Sequence, residues 1–209
     1  MTLNARLNSV TDRIVARSTK ACARYFTQMK AARLEGPRRA HLLCGNQAHA
    51  YASMERDKDA LSAGRGANVG IVRAYNDMLS AHHPFAEFPD EIKDELRSLG
   101  ATAQVAAGIP AMCDEVTQGQ DGMELSLFSR DSVSMSAAIG LSHNVFDCAV
   151  FLGVCDKFVP GLVIAAARFG HLPAVFLPAG PMPSGLSNDE KTQKRRARSL
   201  GFRREPRIL

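Results

Sequence analysis

Four short apolar runs, each separated from the next by a polar or glycine-bearing turn and a helical stretch, set the pattern from residue 68 onward. They are Asn68–Tyr75 (NVGIVRAY), Ala101–Gly108 (ATAQVAAG), Cys148–Val154 (CAVFLGV) and Ala174–Leu177 (AVFL). Helical patterns fill the gaps. Pro89–Leu99 opens on proline and acids and stops at Gly100, Ser129–Leu141 follows, and Pro160–Phe169 has Gly170 where a helix would end. This spacing predicts parallel βαβ units. The expected fold is α/β, a Rossmann-like, mostly parallel sheet flanked by helices. The last two runs are nearly all apolar, as strands covered on both faces should be. In such sheets ligands gather beyond the carboxyl ends of the strands. That rule places Asn76-Asp77, Cys113-Asp114, Cys155-Asp156-Lys157 and Gly180–Gly185 on one rim.

Ahead of this core, residues 4–34 lack Pro and Gly and repeat Leu7, Val10, Ile14, Val15, Cys22, Tyr25, Phe26 and Met29 at roughly helical spacing. Residues 36–66 mix polar residues, glycine and two histidines, and read as loop with a little helix. The expected organisation is a helical amino-terminal segment (1–66), a parallel α/β core (67–187) and a basic tail (188–209) predicted to be disordered. That tail holds eight bases and three acids, which account for the whole net charge of +5 and leave residues 1–187 neutral. A solvated tail is the simplest reading. The alternative is a non-catalytic nucleic-acid-binding arm, for which Phe202 is the only aromatic platform.

The length of 209 residues allows one domain or two small ones. No window of 18 uninterrupted apolar residues exists, so no membrane span is expected. The first 18 residues lack an apolar core, so no secretory signal is expected either. The five cysteines are an odd number without a CxxC pair. That argues against a disulfide framework or a self-contained zinc site, and for a reducing, cytoplasmic setting.

The sharpest chemical feature is Cys155-Asp156-Lys157, between a very apolar strand and a Pro-Gly helix start. A thiolate suits iron–sulfur or zinc, and a carboxylate suits magnesium. The same three residues read equally as a buried cysteine beside a surface ion pair. Asp114 and Asp121 flank CDEVTQGQD, where paired acids bind Mg²⁺ or simply cap turns and helices. Asn76, Asp77, His82 and His83 follow the first strand, as candidate substrate-binding residues or plain surface groups. Cys44, in CGNQAHA, presents a thiol or packs as a small apolar residue, whereas Cys22 and Cys148 fall on apolar patterns and read as core. Ser184 lies in a loop without a GxSxG pattern, and neither phosphate-loop motif follows any strand.

The segment CDKFVPGLVIA (155–165) is similar to the signature of the dihydroxy-acid and phosphogluconate dehydratase family. The likeness extends through AYNDMLSAHHP (74–84), GIPAMCDEVTQGQDGMELSLFSRD (108–131), MSAAIGLSHNVFDCAVFLGVCDK (135–157) and FGHLPAVFLPAGPMPSGL (169–186). It covers roughly residues 5–190 and is strongest to the phosphogluconate branch, as is CGNQAHA (44–50). The resemblance implies a hydro-lyase that takes water from a sugar acid, with 6-phosphogluconate as the small-molecule substrate. Another sugar acid or a dihydroxy acid is the alternative. It also implies an iron–sulfur cluster, of 4Fe–4S rather than 2Fe–2S type, together with Mg²⁺ or Mn²⁺, and a homodimer for the full-length enzyme. Cys155 would be a cluster ligand, with Cys44 or Cys113 as possible further ones. Asp114 and Asp156 would hold the divalent ion. Lys157 would face it too, a carbamylated lysine supplying an oxygen ligand where an ammonium cannot.

Three departures stand beside the likeness. Ser80-Ala81 occupies the place of a cluster cysteine found in dihydroxy-acid dehydratases, and Glu115 stands where relatives have glycine. Family members are also much longer, so the catalytic base and a later cluster cysteine are expected in a carboxy-terminal part beyond this chain. The expectation is therefore an amino-terminal portion that is inactive alone.

Overall fold

The computed structural model describes residues 4–64, 66–180 and 185–199. Its centre is one four-stranded, all-parallel sheet built from β1 (Asn68–Arg73), β2 (Thr102–Gly108), β3 (Cys148–Leu152) and β4 (Ala174–Leu177), in the order β2-β1-β3-β4. β1 lies against β3 with Val69 opposite Cys148 and Arg73 opposite Leu152. β2 and β4 form the edges. The expected parallel α/β sheet is present, and each expected strand lies within two residues of an observed one.

Among the described residues, eight α-helices surround or extend the sheet. They are α1 (Ala5–Leu34), α2 (Cys44–Tyr51), α3 (Lys58–Ser62), α4 (Phe88–Ser98), α5 (Asp114–Thr117), α6 (Ser126–Leu141), α7 (Phe158–Arg168) and α8 (Asn188–Ser199). Period-2 alternation divides the strand side chains between two faces. Val72, Ala149 and Phe151 meet Val133, Ala137 and Leu141 of α6 and Leu162 of α7. Val69, Ile71 and Leu152 meet Phe85 and the α4 residues Phe88, Ile92 and Leu96. α6 crosses β2 at Gly140, where a Cβ would stand 2.6 Å from the Ala106 carbonyl oxygen.

A polar knot anchors the amino end of β1. Asn68 is fully buried, and its amide nitrogen donates to Val145 O and Gln104 Oε1 while its oxygen accepts from Thr102 Oγ1. Its backbone N–H donates to Asp147, which Arg39 pairs at 2.7 Å.

Four expectations change. Residues 36–66 carry α2, α3 and two short 3-10 turns rather than mostly loop. Tyr51, Met54 and Leu61 bury a small satellite core there, at a spacing too irregular to show helical periodicity. Asn188–Ser199, expected as disordered tail, is helical. Ser187 and Glu190 form reciprocal capping bonds at its start, a local signal hidden by the basic run behind it. The remaining tail residues, 200–209, and Ser184 lie outside the described residues. β4 is an exposed edge rather than a covered strand, with Val175 54% exposed. Gly170 follows α7 without a positive φ. Its missing side chain instead makes room for α1, since a Cβ would meet Tyr25 and Met29. Tyr25 Oη donates to Ala167 O, tying α1 to the end of α7.

No described helix is long and apolar enough to cross a membrane.

Candidate active site

Parallel strands deliver their following loops to one edge, and the strand order sets which loops are neighbours. β1 lies between β2 and β3, so the loops after β1, β2 and β3 are adjacent. The first supplies His82, which is fully buried. Its ring packs edge-on against Phe158, centroids 4.8 Å apart, and against Phe85 at 6.1 Å. His82 Nδ1 lies 2.7 Å from Ala74 O. A carbonyl oxygen only accepts, so Nδ1 carries the proton and Nε2 is left as an acceptor. Burial holds the His82 pKa below its ordinary value.

Nε2 faces Cys155 Sγ at 3.5 Å. Cys155 has φ +76, a left-handed backbone that side chains rarely adopt. Cys113, which comes from the loop after β2 and is buried, is near enough to act on this thiol. Burial first, then the neighbouring Cys113 and Asp156, push the Cys155 thiol up to about 11.

The carboxylates converge on one cation. Lys157 Nζ lies in direct contact with Asp114 Oδ2 and 3.2 Å from Asp156 Oδ2. Its side chain is largely buried, Asp114 is partly buried and Asp156 is exposed. Asp114 begins α5, and its second oxygen accepts from Ser126 Oγ at 2.5 Å. Ser126 is itself buried at the first turn of α6. Two carboxylates and two thiols thus share one rim, each with its own fixed neighbour.

The other candidates stand apart. Asn76 Oδ1 accepts from the Met78 backbone, an Asx turn. Asp77 accepts from Tyr75 Oη, a bond that raises the tyrosine pKa, and Arg73 covers the Tyr75 ring at 5.3 Å. His83 is exposed beside Tyr75. Cys44 is exposed at the start of α2 and is not among the residues meeting at the rim. Glu115 is exposed in ordinary helical backbone, so its position needs no glycine conformation.

Ser126 is the functional candidate that sequence reasoning missed. Its signal was a serine at a helix start, but the expected helix began at Ser129, three residues too late.

Among the described residues, no group of three or more His, Cys, Asp or Glu stands together in metal-ligating geometry. The donor chemistry nonetheless fits two kinds of ion in part. Paired carboxylates around a positive charge suit a hard divalent cation, and adjacent thiols suit a soft one. Lys157 Nζ holds the point on which the carboxylates converge.

Fold and rim together define an α/β domain that carries its polar site at the carboxyl ends of parallel strands. A family model described as dihydroxy-acid/6-phosphogluconate dehydratase N-terminal matches residues 67–203, and the chain belongs to that family. It is 56% identical over 196 residues to a phosphogluconate dehydratase of Rhizobium meliloti, covering 93% of this chain and 32% of the relative. It is 52% identical over 200 residues to a phosphogluconate dehydratase of Escherichia coli, covering 95% of this chain and 33% of the relative. A dihydroxy-acid dehydratase of Akkermansia muciniphila is 33% identical over 121 residues, 58% of this chain and 21% of the relative. The chain therefore spans about a third of the length of the first two curated relatives.

Proposed function

We propose that this chain is the amino-terminal part of a hydro-lyase that converts 6-phosphogluconate to 2-dehydro-3-deoxy-6-phosphogluconate and water, and that it is inactive without the rest of that enzyme. The observation that carries the reading is the meeting of Asp114, Asp156 and Lys157 beside Cys113 and Cys155 on one rim. The names of its relatives support the substrate over another sugar acid or a dihydroxy acid.

In this reading Cys155, with Cys113 rather than the distant Cys44, holds an iron–sulfur cluster, and Asp114 and Asp156 hold Mg²⁺ or Mn²⁺. When bound, these groups supply Lewis acidity for the departing 3-hydroxyl and acidify the C2 proton. The chain's own residues prepare the site. Ser126 holds one oxygen of Asp114 and leaves the other facing the rim. Lys157, as an ammonium, balances the two carboxylates, and its carbamylated form, an anionic carbamate, would add an oxygen donor. The Cys155 thiol is protonated at neutral pH, and His82 Nε2 is positioned to take its proton when a soft metal binds. Asn76, Asp77 and His83, on the exposed loop after β1, are in place to meet substrate at the mouth.

A reducing, cytoplasmic setting is part of the reading and is supported by five unpaired cysteines. So is a homodimeric full-length enzyme, supported by an exposed apolar stripe of Phe128, Met135 and Ile139 on α6. Nucleic acid is not part of it, since α8 carries no aromatic residue on which a base could stack.

A chimera tests the proposal. Residues 1–187 replace the matching segment of the Escherichia coli relative, and water loss from 6-phosphogluconate is assayed after anaerobic iron–sulfur reconstitution. Turnover is expected from the chimera and not from the 209-residue chain. Asp114→Ala or Asp156→Ala in the chimera should lower kcat/KM at least about a hundredfold. An inactive but folded, cluster-loaded chimera, or one that prefers dihydroxy acids, would refute the assignment.

A further inference from the structure

The opposite edge of the sheet carries a second polar cavity that the rim chemistry does not use. It has a volume of about 530 Å³ and lies where α1 meets the ends of α6 and α7. Its polar lining is Gln28, Arg38, Ser142, Asn144, Arg168 and His171. Ser142 and Asn144 precede β3 and His171 precedes β4. These loops feed the amino ends of the strands, so the cavity is remote from the rim at their carboxyl ends.

The charge in this lining is one-sided, with two guanidinium groups and no carboxylate. Arg168 has no ion pair among the described residues, and Arg38 has only an exposed one, to Glu35 at 2.8 Å. The cavity borders the carboxyl ends of α6 and α7, where backbone N–H groups already serve several of the last carbonyls and the two guanidinium groups offset the negative helix ends. The Ser142 N–H already serves Ala138 O and Gly140 O, and the Phe169 N–H serves Ala165 O and Ala166 O.

His171 borders the cavity beside the two arginines. Its Nδ1 is buried and has no hydrogen-bond partner. A buried nitrogen without a partner costs less as a lone pair than as an N–H. The neutral ring therefore carries its proton on Nε2, and His171 borders both this cavity and a neighbouring one. Burial first, then the positive charges of Arg38 and Arg168, hold the His171 pKa below its ordinary value.

We propose that this cavity is a binding site for a phosphate dianion, free or as the phosphomonoester of a small metabolite, separate from the candidate active site. Planar guanidinium forks match phosphate oxygens in pairs, and the amides of Gln28 and Asn144 and the Ser142 hydroxyl supply further donors. The cavity is large enough for a sugar phosphate rather than a bare ion only. This proposal does not depend on the dehydratase reading.

The purified 209-residue chain is titrated with inorganic phosphate and, separately, with glucose 6-phosphate in a buffer free of other oxyanions. The His171 Cε1–H resonance, assigned by its loss in His171→Asn, is followed by NMR. A saturable shift is expected at millimolar concentrations or below, with tighter binding of one probe naming the source of the phosphate. Arg168→Gln, and independently Arg38→Gln, should weaken binding about tenfold, because each removes a charge-assisted pair. Arg13→Gln, exposed about four turns along α1 from Gln28, should leave the affinity unchanged. No saturable shift with either probe, or a shift that persists undiminished in both arginine variants, would overturn the proposal.

Discussion

At the scale of single residues, the rim holds a thiol in a backbone conformation that opposes it. Cys155 has φ +76, where a Cβ costs about 1 kcal/mol or more relative to glycine. Cys155→Gly should therefore be about 1 kcal/mol more stable than Cys155→Ala by denaturant midpoint, although both lose the thiol. Equal stabilities would show that the left-handed backbone is not strained. Ser126 offers a second prediction. Ser126→Ala removes the hydroxyl that donates to Asp114 Oδ1 and frees the carboxylate to rotate. Mn²⁺ affinity, read by electron paramagnetic resonance in the chimera, should fall about fivefold to tenfold. Unchanged affinity would reduce Ser126 to a packing residue. The motif residues Cys155, Asp156 and Lys157 were legible in sequence because they are consecutive. Ser126 was not, because the need for it arises only when Asp114 is folded back beside α6.

At the scale of elements, close approach and one ion-pair network set the packing. Gly140 lets α6 approach β2 to within reach of the Ala106 carbonyl. Gly140→Ala should cost about 1–3 kcal/mol by overpacking, despite its better helix propensity. A stabilised variant would mean that α6 can slide without loss. α3 and α4 are joined through Asp57, just before α3, and Arg97 in the last turn of α4, with nitrogen–oxygen distances of 2.7 and 2.8 Å. The hydrogen bond from Arg97 holds the Asp57 carboxyl below its usual range. A carboxyl with a depressed folded-state pKa stabilises the fold above its unfolded value of about 3.9, and that stability is lost as pH falls through the lower, folded value. Wild type should therefore lose more Tm between neutral pH and about pH 3 than Asp57→Asn does. Parallel Tm profiles for the two proteins would rule this contribution out. Strand positions were readable from local apolar runs. The α2–α3 region was not, because its helices are short and are held by partners distant in sequence such as Arg97 and Gln104.

At the scale of the whole molecule, the described surface is unfinished. α6 is apolar on its inner face through Val133, Ala137 and Leu141, and on its outer face through Phe128, Met135 and Ile139, each about two-thirds exposed. Arg130, Asp131 and Ser132 keep part of that surface polar, but three large apolar side chains on one exposed stripe mark a surface for a partner to cover. β4 adds an open strand edge with Val175 and Phe176 exposed. The 209-residue chain should self-associate at micromolar concentration, and Phe128→Glu combined with Ile139→Glu should shift sedimentation toward the monomer. A wild-type chain that stays monomeric throughout would show that this stripe is inert.

The order of the four strands, the approximate limits of α1, α4, α6 and α7 and the consecutive Cys-Asp-Lys motif were determined by sequence alone, because apolar period and turn chemistry act over a few residues. Which of those residues meet was decided only in three dimensions. Lys157 reaches Asp114 across 43 positions and Cys155 reaches His82 across 73. Only the order β2-β1-β3-β4 makes their loops neighbours. The same holds for the cationic cavity, whose arginines and histidine come from separate parts of the chain. Local pattern fixes an element's type, but proximity between distant elements follows from how the sheet and its helices bury their apolar faces together.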